Sequence, residues 1–456
     1  MAETANKTWS SNYLFLMASI GSTVGLSNIW RFTYLAGENG GGAFVLIYLL
    51  SLVVMGVPIL AAEMVIGKRG GKSMVGTLEA LHHKDGIHTG WKYFGWVAMI
   101  TVFLILSFYS VIAGWTLDYT VTSLAGSLNH LNNEGATAFY QQLLDSPYRM
   151  MIGQGIFVIA TVWIVAKGVQ DGLEKSISWM MPTLFVILLL LVAYGMIYGK
   201  FMEALRFLFA PDFSKITPQV VLAAFGQAFF SLGIGVGVML TYGAYMPPKT
   251  NVLKSAVIIA FSDGFASMLA GLAIFPIVFQ YGLSPTEGPG LIFITLPVTF
   301  GELPGGGFIG SFFFLLLFFA ALTSSISLLE SIISHLEESI KSSRTRITII
   351  SGIVLWLVGL GTVFSFNYLS DFTPLDFISV LKGKTIFGLL DYFGSNLLMP
   401  VGGILMAILA GWILSKEVIF AEMNLRSEWQ FVVWRFLVRF LAPSSYFGCL
   451  FIIYDC

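Results

Sequence analysis

Two short stretches of this sequence put backbone and hydroxyl oxygens in the middle of long apolar runs. Gly21-Ser22-Thr23-Val24-Gly25-Leu26-Ser27-Asn28 and Ser231-Leu232-Gly233-Ile234-Gly235-Val236-Gly237 both mix glycine with small polar residues. Glycine costs about 1 kcal/mol in a helix interior relative to alanine, and hydroxyl side chains compete for backbone hydrogen bonds. Local unwinding is therefore expected at both. A helix broken within a membrane frees amides that can hold a carboxylate and carbonyls that can hold a cation. Small residues also serve ordinary helix packing in membranes, and one such stretch alone would be read that way. Two in corresponding positions favour a binding site, because irregular backbone at membrane depth is tolerated only where it is buried or lines a cavity. Bond-breaking chemistry has no comparable support: there is no H-E-x-x-H, and His82, His83, His88, His130 and His335 all lie away from the two stretches.

The elements that carry these stretches are membrane spans. The chain is 56% hydrophobic and 11% charged, with a mean hydropathy of +0.83, against about 25% charged residues in soluble domains. A net charge of -1 offers no basic stripe for nucleic acid. The two cysteines, Cys449 and Cys456, have no metal-ligand spacing and indicate no disulfide framework. Apolar runs of about 20 residues occur eleven times, at about 11–35, 42–67, 92–125, 150–168, 176–199, 216–246, 253–280, 308–340, 345–366, 385–414 and 430–455. Seventeen Lys and Arg fall on the side of the N-terminus and six on the other, which predicts a cytoplasmic N-terminus. Met1 to Ser10 carries only Lys7 as a positive charge and has no small-residue cleavage site, so the first span is expected to be retained. The two broken spans are five apart and cross in opposite directions. This pattern predicts an all-α polytopic membrane protein built as a five-plus-five inverted-repeat bundle, with repeats at about 11–199 and 216–414 and an extra helix at about 430–455.

At these residues the chain resembles the neurotransmitter:sodium symporter family, especially its bacterial amino-acid transporters of eleven spans. The likeness runs from Gly21 through Asn28-Ile29-Trp30-Arg31-Phe32 into Glu38-Asn39-Gly40-Gly41-Gly42-Ala43-Phe44. It continues at Gly226-Gln227-Ala228-Phe229-Phe230-Ser231-Leu232 and at Ala320-Ala321-Leu322-Thr323-Ser324-Ser325. The resemblance implies a leucine-transporter-like bundle in a bacterial cytoplasmic membrane, with Na+ at two sites and an L-amino acid bound halfway across. One sodium site would use carbonyls of Gly21, Val24 and Ala320 with hydroxyls of Thr323 and Ser324. The other would use the Thr23 carbonyl, Asn28, Ser231 and a seventh-span residue, for which alignment offers Ser262 or Asp263. Asp263 is favoured, since an ionisable group at membrane depth is costly and usually functional; its charge would stand in for chloride, making chloride unnecessary.

The same resemblance puts the substrate carboxylate against Leu26, Ser27 and the Tyr109 hydroxyl, and its amino group against Phe230, Ser231 and Ser324. Ser22, Ile105, Phe230, Gly233, Val236 and Leu328 would meet the side chain. Gly233 and Val236 are smaller than the residues of a leucine-carrying member, which favours large aliphatic or aromatic substrates. Arg31 and Asp391 resemble an outer gate pair, and an exposed ion pair contributes only about 0 to 1 kcal/mol, which suits a gate that opens every cycle. Trp9, Tyr245 and Glu338 match inner-gate positions, with Asn6 and Lys7 standing where Arg is usual, so Lys7 is expected to pair with Glu338. The rival from another class is an amino-acid-gated receptor or channel on the same bundle.

Overall fold

A computed structural model of the chain describes residues 8–283, 290–302, 304–425 and 427–444, among which every regular element is helical. The first crossing consists of α1 (Asn12–Thr23) and α2 (Phe32–Glu38). It is followed by α3 (Gly42–Gly70), α4 (Trp91–Leu124), α5 (Pro147–Ala166) and α6 (Val169–Tyr198), each long and apolar enough to span a membrane. The sixth crossing is again in two halves, α7 (Pro218–Ser231) and α8 (Val238–Ala244). Then come α9 (Val252–Gln280), α10 (Gly306–Ser339), α11 (Arg344–Phe364) and α12 (Ile386–Ile413), all of spanning length. The last described helix, α13 (Glu428–Phe436), continues through the π-helical Leu437–Leu441; Cys449, Cys456 and the end of the expected last span lie outside the described residues. The first ten crossings thus fall where hydropathy predicts them. The additional helices Met74–Asp85, Asn133–Leu144, Phe201–Phe209, Leu291–Glu302 and Lys416–Met423 occupy the connections.

Both breaks have local causes. Helix α1 starts at Ser11, whose hydroxyl accepts from the Leu14 amide at 3.2 Å, and ends where Val24 turns extended (φ -73, ψ 100). The Asn28 side-chain oxygen then accepts from the Gly25 amide at 2.9 Å, satisfying one donor that the interrupted helix has freed. The second break, 232–237, passes through Gly233, Gly235 and Gly237 at φ +58, +92 and +75, conformations that favour glycine. Gly235 is fixed by contact as well. A Cβ there would stand 2.2 Å from the Met399 carbonyl oxygen of α12, and a Cβ on Gly402 of α12 would stand 1.9 Å from the Gly235 oxygen. The break therefore lies backbone to backbone against α12. From the other side Glu63 of α3, fully buried, accepts from the Gly235 amide at 2.6 Å.

Small residues bring other helices equally close. A Cβ on Gly114 of α4 would stand 2.6 Å from the Gln154 amide of α5, and one on Gly243 of α8 would stand 2.5 Å from the Met64 oxygen of α3. In a bilayer, where lipid is as apolar as the helix surfaces, such close approach is what holds helices together.

Candidate ion and substrate site

The strongest constellation lies where the first break meets α9. Asn28, Ser231 and Asp263, from three separate crossings, are all buried. The Asn28 amide donates to Asp263 Oδ1 at 2.8 Å, and the Ser231 hydroxyl donates to Oδ2 at 2.8 Å. Two residues not anticipated from sequence complete the shell. The Tyr48 hydroxyl donates to Asp263 Oδ2 at 3.0 Å, and Ser267 lies 3.0 Å from both the Tyr48 hydroxyl and the Asn28 amide nitrogen. Asp263 thus sits among hydroxyl and amide groups, with no Lys, Arg or His acting on it among the described residues. A buried charge without a counter-charge costs several kcal/mol, so this shell suits a cation. Among the described residues no three His, Cys, Asp or Glu gather as for a transition metal, and a single carboxylate with neutral oxygens matches a hard ion of one positive charge. Ser262, the alternative at this position, is not in the hydrogen-bonded shell.

The second candidate ion site is less complete. Gly21 faces α10: a Cβ there would lie 3.5 Å from the Thr323 Cβ. The hydroxyls of Thr323 and Ser324 bond back to the Ala320 carbonyl of their own helix, at 3.0 and 3.2 Å. Val24 and Ala320 are buried, as is Thr23, whose hydroxyl bonds back to the Ile20 carbonyl at 3.1 Å.

Beside it runs an internal lining. Ser22, Ser27, Tyr109, Phe230, Gly233 and Leu328 are only partly buried although they belong to the inner helices, whereas Leu26, Ile105, Val236 and Ser324 are buried. The Tyr109 hydroxyl is buried without a well-formed hydrogen bond, with the Ser324 hydroxyl and the Leu26 amide as its polar neighbours. A Cβ on Gly25 would stand 2.6 Å from the Ser324 hydroxyl and 3.4 Å from that of Tyr109. Hydroxyls and amides converging on an unsatisfied donor are the groups that accept a carboxylate. No atom comes within 4 Å of where a Gly233 Cβ would stand. Ser22 bonds Ser327 at 2.8 Å, a partner the sequence did not single out. Ile105 packs against the tenth crossing, 3.0 Å from where a Gly394 Cβ would be.

The gate residues are arranged differently from expectation. Arg31 forms no ion pair with Asp391 among the described residues; it donates to the Gly226 carbonyl at 3.4 Å and lies 4.5 Å over the Phe230 ring. At the opposite end Trp9 is buried, its amide donating to the Tyr245 carbonyl at 3.0 Å and its indole to that of Tyr242 at 3.3 Å. Ser10 is held to Glu174 through its amide and hydroxyl, both at 2.7 Å. Lys7 lies outside the described residues, and Glu338 accepts from the Ser73 amide and hydroxyl at 2.8 and 2.6 Å. Tyr245 donates to the buried Glu330 at 3.1 Å, which Arg344 engages in turn, together with Glu337. The Glu330–Arg344 pair is not legible in sequence: a charge embedded in an apolar helix is visible there, but its partner across the bundle is not.

Broken crossings five apart, with a buried carboxylate that lacks a counter-charge among the described residues where the first break meets the seventh crossing, are the architecture of an inverted-repeat membrane transporter. The chain belongs to the sodium:neurotransmitter symporter family, whose model matches residues 6–140 and 147–454. The crystal structure of MhsT in complex with L-phenylalanine superposes with a TM-score of 0.86 at 39% identity, covering 98% of this chain and 99% of that one. The sodium-dependent transporter YhdH of Bacillus subtilis is 38% identical over 98% of this chain and 97% of its own length. The sodium-dependent neutral amino acid transporter B(0)AT2 of mouse is 28% identical over 61% of this chain and 41% of its own.

Proposed function

We propose that this protein is a symporter that imports hydrophobic or aromatic L-amino acids with sodium by alternating access, with its N-terminus in the bacterial cytoplasm. The observation that carries the reading is Asp263, buried among Asn28, Tyr48, Ser231 and Ser267 with donors but, among the described residues, no counter-cation. Sodium at this place is held by the Asp263 and Asn28 oxygens, Ser231 and the Thr23 carbonyl. A second sodium is held by Gly21, Val24, Ala320, Thr323 and Ser324, whose hydroxyls turn from their own helix toward the ion. The Asp263 charge makes chloride unnecessary. The substrate carboxylate is received by Tyr109, Leu26 and Ser27, next to the first sodium, so each ligand offsets the other's charge. Its amino group faces Phe230, Ser231 and Ser324, and its side chain Ser22, Ile105, Gly233, Val236 and Leu328. MhsT, at 39% identity, was crystallised with L-phenylalanine, which supports an aromatic substrate here.

Arg31 over Phe230 acts as the outer lid, closing toward Asp391 once substrate is bound. The inner end is closed by Trp9, Tyr245 and their partners, and Lys7 joins Glu338 there. Radioligand binding of phenylalanine to the purified protein, competed by all twenty amino acids with and without sodium and with chloride replaced by gluconate, tests this reading. Binding that needs sodium, ignores chloride and is displaced by bulky apolar amino acids is expected. Binding indifferent to sodium, or needing chloride, would refute the site proposed.

A further inference from the structure

The end of α12 and the last described helix bring two guanidinium groups to one backbone atom. Arg439 Nε donates to the Gly411 carbonyl at 2.6 Å, and Arg435 Nε donates to the same oxygen at 3.3 Å. One basic side chain on the closing carbonyls of a helix is ordinary C-terminal capping. A second adds repulsion between like charges, and the terminal nitrogens of both groups make no hydrogen bond or ion pair among the described residues. Glu417 attracts Arg435 from beyond ion-pair distance.

The surroundings are those of a membrane interface. Arg439 lies 4.9 Å over Trp412, which is 52% exposed and packs edge-on against the half-exposed Phe440. Gly411 permits the approach, since a Cβ there would already be 3.1 Å from the Arg439 Cγ. Glu428, the first residue of α13, reaches the exposed Lys416 at 4.0 Å, a charged pair of the kind found at the polar ends of spans. Arg435 and Arg439 are rooted about 10 and 16 Å further along the helix, at 1.5 Å per residue. Their side chains reach to Gly411 near the end of α12, as snorkelling cations do.

We infer that Arg435 and Arg439 form a binding site for the phosphate of an anionic phospholipid, with Trp412 and Phe440 against its acyl chains. Planar guanidinium groups with free terminal N–H donors match phosphate oxygens in pairs. The inference rests on the multi-pass fold and is independent of which substrate is carried. Native mass spectrometry of the intact protein in detergent micelles doped with phosphatidylglycerol or phosphatidylethanolamine tests it. Phosphatidylglycerol should be retained preferentially, R435Q should weaken its retention about fivefold and R435Q/R439Q about twenty-five-fold, at roughly one such factor per basic group. R435Q leaves Arg439 on Gly411, so the helix end stays capped; should it still not fold, R435K keeps the charge without the fork and should fall between wild type and the double variant. R346Q, at an exposed position away from the site, should change nothing. Equal retention of the two lipids, or variants as competent as wild type, would overturn the site. Displacement by millimolar glycerol 3-phosphate as effective as by lipid would overturn the lipid assignment in favour of a soluble phosphate.

Discussion

Asp263 matters because of what its neighbours lack. Three side chains donate to its two oxygens and none carries a positive charge, so D263N removes the charge while leaving a similar shape. A hydrogen bond involving a charged group contributes about 1.5 to 3 kcal/mol, so D263N should weaken sodium by about tenfold or more, read as the sodium dependence of phenylalanine binding. Y109F removes a hydroxyl that is buried without a well-formed bond and should raise the substrate Kd about tenfold by the same scale, while sodium binding measured alone is unchanged. An equal loss in sodium binding would contradict the role given to Tyr109. Of this shell, Asn28, Ser231 and Asp263 were legible in the sequence. Asp263 stood out as a charge in an apolar run and the other two lay in the breaks. Tyr48 and Ser267 were not legible: a tyrosine in Ile47-Tyr48-Leu49 or a serine in Ala266-Ser267-Met268 looks like any packing residue until another helix brings it to a carboxylate. Glu63 is visible as a charge in an apolar run, but its partner, a backbone amide on the sixth crossing, is not.

The two breaks are built by different means, and their glycines should respond differently to substitution. The first is stabilised by a side chain, Asn28 on the Gly25 amide; the second depends on positive φ at three glycines. G233A meets strain only, about 1 to 2 kcal/mol for a left-handed residue, because nothing stands within 4 Å of its Cβ. G235A adds a collision with the Met399 carbonyl at 2.2 Å. Thermal unfolding in detergent should therefore show G233A folded and G235A much more damaged; equal midpoints would contradict the close packing of the break on α12. Glycine number and spacing showed that these segments unwind. Which glycine serves conformation and which serves contact was beyond sequence, since that depends on α12, more than 160 residues away in the chain. Gly233, whose small size in sequence suggests room for substrate, also supplies a positive φ to the backbone.

Across the whole bundle, the end that carries Trp9 is packed by its buried contacts to Tyr242 and Tyr245, with the exposed Ser10 tied to Glu174, while Arg31 at the other end rests on Phe230 without pairing to Asp391. Under the alternating access proposed above, this asymmetry corresponds to a state held tightly at the Trp9 end and by a weak contact at the other. The hydropathy pattern was enough to show the crossings, because a lipid-exposed helix must be apolar along its whole length. The helices in the connections escaped it, being too short to span. Each sodium ion crossing with the membrane potential contributes about 2.3 kcal/mol per 100 mV, so one ion suffices to drive accumulation of a neutral amino acid by more than tenfold. W9A should loosen the sealed end, by loss of about 3 to 5 kcal/mol for a large buried aromatic. Accessibility of a cysteine introduced at Ser22, read by a thiol reagent added from the N-terminal side, should then rise; unchanged labelling would contradict the seal. The most direct test of the central claim is uptake of radiolabelled phenylalanine into proteoliposomes under an imposed inward sodium gradient, with D263N reconstituted in parallel. Sodium-coupled symport predicts accumulation above the external concentration that collapses when the gradient is dissipated and is absent in D263N; mere equilibration, or uphill uptake without sodium, would contradict it.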